Sequence, residues 1–223
     1  MADGASLGID WHRRGWVGII LRPASPPVVV ADPSLKSLIA RVPDAECVGV
    51  DIPIGLPAVE RKADLLARNY VGRRRNSVFM TPPKPVLEAP NYAAANVIAP
   101  DITGGKKISQ QAWALRHHIA LVETLAAEDR RVIEVHPEVS FRAMVGRELE
   151  YAKSTWNGQR LRLRGLADEG IVLADHLVEG GDVPVADVLD AAAAAWSARR
   201  YARHEERALP EDALRGQDEV IWY

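Results

Sequence analysis

Four aspartates are the residues of this chain whose positions could support chemistry. Asp10 and Asp51 each end a short apolar run that has the character of a buried strand. Asp187 and Asp190 are three residues apart in a helical segment, so they share a face. Clustered carboxylates repel one another unless a cation neutralises them, and their hard oxygen atoms suit Mg²⁺ or Mn²⁺. The four aspartates therefore predict metal ligation, with two ions as the arrangement suited to phosphodiester cleavage.

Each of these aspartates also has an ordinary structural explanation. An aspartate that follows a strand is often a turn residue. Asp187 would lie in the first turn of its predicted helix, where the helix dipole favours an acidic side chain. Taken singly, the positions favour structural roles, whereas the set as a whole favours a metal site.

The segments around the aspartates explain how they would be positioned. Pro53, Gly55 and Pro57 follow Asp51 at once, so they end its strand and fix the path of the chain beyond it. Asp51 is thereby held at the carboxyl end of a core strand, where open α/β sheets place their ligands. The residues after Asp190 are the small side chains of 191–195, which allow their helix to lie close to the sheet.

The order of the predicted elements indicates an α/β fold with a mixed central sheet. Strands are predicted at Leu7–Asp10, Gly15–Leu21, Pro26–Ala31, Cys47–Asp51, Arg131–Val135 and Glu219–Trp222. The first two are separated by so few residues that they should form an antiparallel hairpin. The fourth is reached through a helix, so it should run parallel to the first.

Helices are predicted at 60–70, 90–97, 108–128, 153–169 and 185–206, in addition to the one between the third and fourth strands. Residues 72–108 are rich in Pro, Gly, Lys and Arg. We predict that they form a helical and loop insertion, or a lid, within a single domain that spans residues 1–223.

The composition is that of a globular protein with a full core. The chain has 223 residues, of which 48% are hydrophobic, and a net charge of −2, so any nucleic-acid binding must depend on local basic patches. The single cysteine, Cys47, excludes an internal disulfide framework and a cysteine-based zinc cluster. The sequence has neither a signal-peptide pattern nor an apolar run of membrane-spanning length, so we expect a cytoplasmic protein without a membrane partner.

A second group of polar residues follows the fifth predicted strand. Pro137 ends that strand, so His136 and Glu138 lie at its carboxyl end. Glu138 could bind a metal or a water, and His136 could transfer a proton or contact a phosphate. Alternatively, Glu138 is an acid favoured at a helix start and His136 is a hydrogen-bonded strand end. The sequence also leaves open whether Glu134 or Glu138 joins the metal site.

Basic and polar side chains between the second helix and residue 113 predict contacts to a nucleic-acid backbone. They are Arg61, Arg68, Arg73, Arg74, Arg75, Ser77, Lys84, Gln110, Gln111 and Trp113. The alternatives are that the arginines form a solvated surface and that Trp113 belongs to the core. A later basic stretch is predicted to be a solvated helix face; it contains Lys153, Arg160, Arg162 and Arg164.

Seven motifs spread over nearly the whole chain resemble those of one family. They are Gly8-Ile-Asp10, Gly15-Trp-Val17, Val48-Gly-Val-Asp-Ile-Pro-Ile-Gly-Leu-Pro57, Gly72-Arg-Arg-Arg-Asn-Ser-Val-Phe79, Ser109-Gln-Gln-Ala-Trp113, Glu134-Val-His-Pro-Glu-Val-Ser-Phe141 and Asp187-Val-Leu-Asp-Ala191. Together they are similar to a family described as predicted ribonuclease H-like nucleases. The resemblance implies a ribonuclease H-like fold, whose first three strands are antiparallel, and metal-dependent phosphodiester chemistry. Within that superfamily the aspartates are arranged most like those of Holliday-junction resolvases.

The leading hypothesis is therefore a nuclease that uses two Mg²⁺ or Mn²⁺ ions to hydrolyse DNA or RNA. A second hypothesis is an ATP-binding phosphotransferase or ATPase of the actin-like branch of the same superfamily. It is disfavoured because Gly15-Trp-Val-Gly18 carries bulky residues where a phosphate loop needs glycines. A third is a catalytically inert module that binds nucleic acid or protein. The sequence leaves the oligomeric state open, with a homodimer among the alternatives.

Overall fold

The computed structural model describes residues 4–223 and is built on a mixed five-stranded sheet. Its strands lie in the order β3-β2-β1-β4-β5. β1 pairs antiparallel with β2, and β2 with β3, whereas β4 runs parallel to β1 and β5 parallel to β4. These pairings confirm the predicted hairpin and the predicted parallel strand. The bounds are Ala5–His12 for β1, Gly15–Leu21 for β2, Val28–Asp32 for β3, Ala45–Val50 for β4 and Val132–Glu134 for β5.

Helices flank this sheet. They are α1 (Leu35–Ala40), α2 (Lys62–Val71), α3 (Lys84–Leu87), α4 (Tyr92–Thr103), α5 (Gln110–Ala114), α6 (Arg116–Glu128), α7 (Pro137–Val145), α8 (Trp156–Asp168) and α9 (Val185–Ala202). A 3₁₀ helix spans Gly72–Ser77. The strands β6 (Ala208–Leu209) and β7 (Ile221–Trp222) form a separate antiparallel pair.

Several predicted bounds were wrong in ways that matter for the site. The helix predicted at 108–128 is divided at Leu115 into α5 and α6. The helix predicted from Lys153 begins only at Trp156, where the Thr155 side chain accepts a hydrogen bond from the Gly158 amide and caps it. Lys153 therefore lies in an irregular segment before α8, and its position is set by tertiary contacts.

The sheet separates two apolar layers because its side chains alternate between the two faces. Leu7, Ile9 and Ile20 pack with α1 and α6 on one face. Val17 and Ile19 pack with α9 and α7 on the other. Asp10 is paired directly with Val17, so its side chain projects from the face that α9 covers.

The helix α9 lies very close to this sheet, as its run of alanines predicts. A Cβ atom added at Gly8 of β1 would lie 1.8 Å from the amide nitrogen of Ala195. One added at Gly49 of β4 would lie 2.8 Å from the carbonyl oxygen of Ala194. The glycines on the strands and the alanines on the helix together permit this approach, which brings the N-terminal turns of α9 to the carboxyl ends of β1 and β4.

Residues 72–108, the predicted insertion or lid, contain the 3₁₀ helix, α3 and α4. They have a small apolar cluster of their own, which is formed by Val86, Ala89, Ala95 and Ala99. The half-buried Trp113 of α5 packs against that cluster. No helix within residues 4–223 is long and apolar enough to cross a membrane.

Candidate metal site

Three of the four predicted carboxylates meet at the carboxyl ends of β1 and β4. Asp10, Asp51 and Asp190 each offer an oxygen atom, and these atoms lie within 4.8 Å of one another. The last pair between the parallel strands is Ile9 with Val50, and the residue that follows each of them in the chain is an aspartate. Asp190, from the second turn of α9, completes the group because the helix packs so closely on the strands. The strand β1 itself continues to His12, so Asp10 lies within it rather than at its end.

Asp187 lies one turn earlier in α9 and is half-buried. It lines the same pocket but is not one of the three residues whose oxygen atoms are mutually close. The structure thus places three of the predicted ligands together and the fourth beside them.

The electrostatics of the cluster are those of buried acids without enough positive charge. Burial, reinforced by the nearby Asp190 carboxylate, raises the pKa of Asp51 to about 8. Burial also raises the pKa of Asp10 well above its usual range, with Asp51 as the next contribution. The pKa of Asp187 is raised as well, and burial is again the main cause. A cation bound beside these groups would therefore favour their ionised forms.

Lys153 supplies part of that positive charge. Its ammonium group donates a hydrogen bond to Oδ2 of Asp190, whose other oxygen, Oδ1, has no hydrogen-bond partner among the described residues. Burial opposes the charged form of Lys153, but attraction to Asp190, Asp10 and Asp51 outweighs it and raises the pKa. The sequence-based placement of Lys153 on a solvated face was wrong, because the loop before α8 turns it into the pocket.

Glu138 and His136 line the same pocket as the aspartates, as their predicted roles require. Arg162 donates to Oε1 of Glu138 over 2.6 Å, while Oε2 is buried and has no partner in the described structure. Burial lowers the pKa of His136, which favours a neutral imidazole, and no described group hydrogen-bonds to its Nδ1. Arg162 is fully buried, so its predicted place on a solvated face was wrong.

Glu134 and Arg61 form a different buried group. The Nη2 atom of Arg61 lies 2.6 Å from Oε2 of Glu134, and its Nη1 lies 3.4 Å from Oδ1 of Asp64. The amide of Ile54 donates to the same Glu134 oxygen over 2.6 Å, which holds the turn after Asp51. The pKa of Glu134 is raised to about 7, mainly by burial, although Arg61 acts in the opposite direction. The predicted contact of Arg61 with substrate was wrong, since this side chain is 0% exposed and supports the turn instead.

The pocket around the carboxylates has a volume of about 340 Å³ and includes two of the predicted contact residues, Ser77 and Gln111. Arg68 donates to the carbonyl of Val78 over 3.0 Å and lines a second, adjacent pocket. Two residues that the sequence analysis did not single out, Trp11 and Phe79, also line the first pocket.

The other predicted contact residues are not among the described residues that line either pocket. Trp113 is partly buried, and the guanidinium of Arg116 lies 4.4 Å from its ring centre, which supports the core interpretation. Arg73 lies 3.6 Å from Glu148, and Lys84 lies 3.9 Å from Glu88. Arg75 and Gln110 are exposed, and Arg74 is half-buried.

The donor set fits a hard divalent cation. Carboxylate oxygens are the preferred ligands of Mg²⁺ and Mn²⁺, and at metal–oxygen distances of about 2.1 Å neighbouring ligands of an octahedral ion lie about 3 Å apart. Three carboxylate oxygens within 4.8 Å of one another are close enough to be ligands of a single ion. The unpartnered oxygen atoms of Asp190 and Glu138 provide further donors.

The fold and the site together define an α/β protein with a candidate acidic cation site at the carboxyl ends of its parallel strands. The chain belongs to the family described as Protein of unknown function (DUF429), whose model matches residues 8–215. All of the carboxylates described above lie within that range. No curated protein and no solved structure matches the chain.

Proposed function

We propose that this protein is a metal-dependent nuclease with a ribonuclease H-like fold. The observation that carries the proposal is the meeting of Asp10, Asp51 and Asp190, from two neighbouring strands and one helix, within 4.8 Å. The sheet order, with three antiparallel strands followed by two parallel ones, supports the fold assignment. The candidate cofactors are Mg²⁺ and Mn²⁺, and the candidate substrate is a nucleic acid.

The proposal assigns a ligand role to each carboxylate of the pocket. Asp10, Asp51 and Asp190 would hold one ion. The unpartnered Oε2 of Glu138, together with Asp51 and the neighbouring Asp187, offers donors for a second. When bound, the ions would supply an activated water and charge stabilisation at the leaving oxygen.

The other residues of the pocket have complementary roles. Burial lowers the pKa of His136, and its Nδ1 has no described hydrogen-bond partner, so its imidazole can take part in moving a proton at the pocket wall. Because the Lys153 side chain is 44% exposed and lies on a loop, a cation bound at Asp190 would displace its ammonium group. Once the carboxylates are neutralised by cations, it is positioned to contact the phosphate. Ser77 and Gln111 offer polar groups to the same substrate.

The decisive experiment is a cleavage assay on labelled single-stranded, duplex and branched DNA and RNA, in Mg²⁺ and in Mn²⁺. We expect wild-type cleavage of at least one substrate, and a loss of about a thousandfold or more in Asp51→Asn, which corresponds to about 4 kcal/mol in the barrier. The matched control is Asp168→Asn, the same change on an exposed residue at the end of α8. Full activity in Asp51→Asn would falsify the assignment.

The same proteins distinguish the alternatives. Mn²⁺ should raise the melting temperature of the wild type, and Asp10→Asn should remove that effect. Stabilisation by ATP without nucleic-acid cleavage would favour the phosphotransferase. A melting temperature that does not respond to either metal would favour the inert binding module.

A further inference from the structure

A second pocket adjoins the carboxylate pocket and has a different chemical character. It has a volume of about 400 Å³ and shares Phe79 and Gln111 with the first pocket, so the two cavities lie on either side of the same wall. Its exposed or half-buried apolar residues include Val59, Phe79 and Met80. Any ligand that spans this wall must have an apolar part beside the part that reaches the carboxylates.

The second pocket also has positive charge that the protein does not neutralise. Lys106 lies 2.8 Å from Glu60, so that pair is balanced. Arg68 donates to a backbone carbonyl, and Lys107 is exposed; neither has a carboxylate partner among residues 4–223. The pocket is therefore suited to an anion, whereas the neighbouring pocket is suited to cations.

Both walls of the second pocket are held in place by internal hydrogen bonds. On one side, the amide of Thr81 donates to Asp64 over 2.7 Å, which ties the wall to the buried group around Arg61. On the other, the Ile108 amide donates to Asn96 over 3.0 Å, and the Ile108 carbonyl accepts from the hydroxyl of Tyr92 over 3.0 Å. A cavity that is already formed loses little conformational entropy when it binds a ligand.

A nucleotide combines the required features, because it has a planar apolar face, a polar edge and an anionic phosphate. We infer that the second pocket binds one unpaired nucleotide of the substrate strand, next to the nucleotide whose phosphate lies at the carboxylates; this inference rests on the proposed function. The ring of Phe79 provides a surface for stacking, and Asn76, Ser109 and Gln111 provide polar contacts to the base edge. A base inside a duplex cannot enter such a pocket without being unpaired. The substrate class is therefore a nucleic acid with a single-stranded segment at the cleavage position.

The test is fluorescence anisotropy with a labelled single-stranded hexanucleotide in EDTA, so that binding is measured without cleavage. We expect Phe79→Ala to weaken binding at least fivefold, since base stacking is lost. We expect Lys107→Gln to weaken binding and to reduce the slope of log K against log salt by about 0.7, because one phosphate contact disappears. Lys36→Gln is the matched control, since Lys36 is an exposed lysine of α1 that is outside both pockets and should change neither quantity.

A duplex of the same sequence distinguishes pocket binding from general attraction to phosphates. The duplex has the higher charge density and would bind more tightly to a merely basic surface, whereas we expect it to bind at least tenfold more weakly than the single strand. Equal or tighter binding of the duplex overturns the inference, as does an unchanged affinity in both Phe79→Ala and Lys107→Gln.

These outcomes are separate from those of the nuclease proposal. Cleavage by the wild type, with single-strand binding that is insensitive to Phe79 and Lys107, overturns the pocket assignment alone. Selective single-strand binding that depends on those residues, without cleavage in either metal, supports the pocket and contradicts the nuclease.

Discussion

Two groups of buried carboxylates lie near the carboxyl ends of the parallel strands, and they are neutralised in different ways. Glu134 and Asp64 surround the guanidinium of Arg61, which is 0% exposed and donates to both Glu134 oxygens and to Thr81. Among residues 4–223, the one cation paired with Asp10, Asp51 and Asp190 is the ammonium of Lys153, which is 44% exposed and comes from a loop. We call the first set the arginine group and the second the aspartate group.

The difference indicates which carboxylates serve the fold and which are available to a ligand. A guanidinium with fixed, multiple hydrogen bonds is a permanent partner, because removing it leaves buried charge without compensation. An ammonium on a flexible stem makes fewer directional bonds and can be displaced by a stronger cation. The arginine group also fixes the turn after Asp51, because the Ile54 amide donates to Glu134.

Removal of the permanent cation should have the largest effect. We expect Arg61→Met to lower the free energy of unfolding by about 3–5 kcal/mol, since two buried carboxylates lose their partner. Urea denaturation monitored by circular dichroism measures this change. The control is Arg73→Met, which removes an exposed pair at 3.6 Å and should cost less than about 1 kcal/mol. A loss of less than about 1 kcal/mol in Arg61→Met would remove the distinction between the two groups.

The pH dependence of stability, measured with and without metal, should also distinguish the two groups. An acid whose pKa is raised in the folded state binds more protons there than in the unfolded chain, so its contribution to stability is present at low pH and is lost as pH rises. With a pKa of about 8, Asp51 should destabilise the metal-free protein progressively between about pH 4 and pH 8. Glu134, with a pKa of about 7, acts in the same direction.

Saturating Mn²⁺ should abolish only the part of this dependence that belongs to the aspartate group, since bound metal requires ionised ligands. Melting temperatures between pH 5 and pH 8 measure the effect, with Asp51→Asn as the reference that lacks this titration. If the wild type and Asp51→Asn show the same pH dependence without metal, the aspartate group is already permanently neutralised.

The sequence predicted the aspartate group better than the arginine group, for a physical reason. Asp10 and Asp51 stand at the end of local apolar runs, and the pattern of small residues after Asp190 reports directly on close packing. Local patterns of this kind also predicted the antiparallel and parallel strand pairs. They carry no information about which cation reaches which carboxylate, because those contacts join distant residues.

The partners of the buried cations illustrate that limit. Arg61 and Glu134 are 73 residues apart, and Lys153 and Asp190 are 37 apart. From the sequence, Arg61 was predicted to contact substrate and Lys153 to lie on a solvated helix face. Nothing in the neighbouring residues distinguishes a lysine that turns into a pocket from one that remains in water, and helix periodicity misplaced Lys153 because α8 begins three residues later.

Removal of the Lys153 ammonium should lower the stability less than removal of Arg61, and it should strengthen metal binding. We expect Lys153→Met to lower the stability of the metal-free protein by about 1–2 kcal/mol, because Asp190 loses its hydrogen bond and its counter-charge. The same variant should bind Mn²⁺ several-fold more tightly, since no ammonium competes for Asp190. Isothermal titration calorimetry measures the affinity, and weaker Mn²⁺ binding in Lys153→Met would show that the lysine supports the metal rather than replacing it.

Substitution of Asp187 should change the stability least. It tests whether Asp187 binds the same ion as the aspartate group. Its carboxylate is half-buried in the first turn of α9, so Asp187→Asn loses a favourable helix-dipole interaction of about 0.5 kcal/mol and gains a similar amount from reduced repulsion. We therefore expect the stability of the metal-free protein to change by less than about 0.5 kcal/mol. If Asp187 donates only to a second ion, calorimetry should show the tighter Mn²⁺ site intact in Asp187→Asn and the weaker one reduced, whereas Asp190→Asn should abolish the tighter site. Loss of the tighter site in Asp187→Asn would instead show that all four aspartates bind the same ion. Neutralising a side chain that does not coordinate the first ion should leave that ion bound.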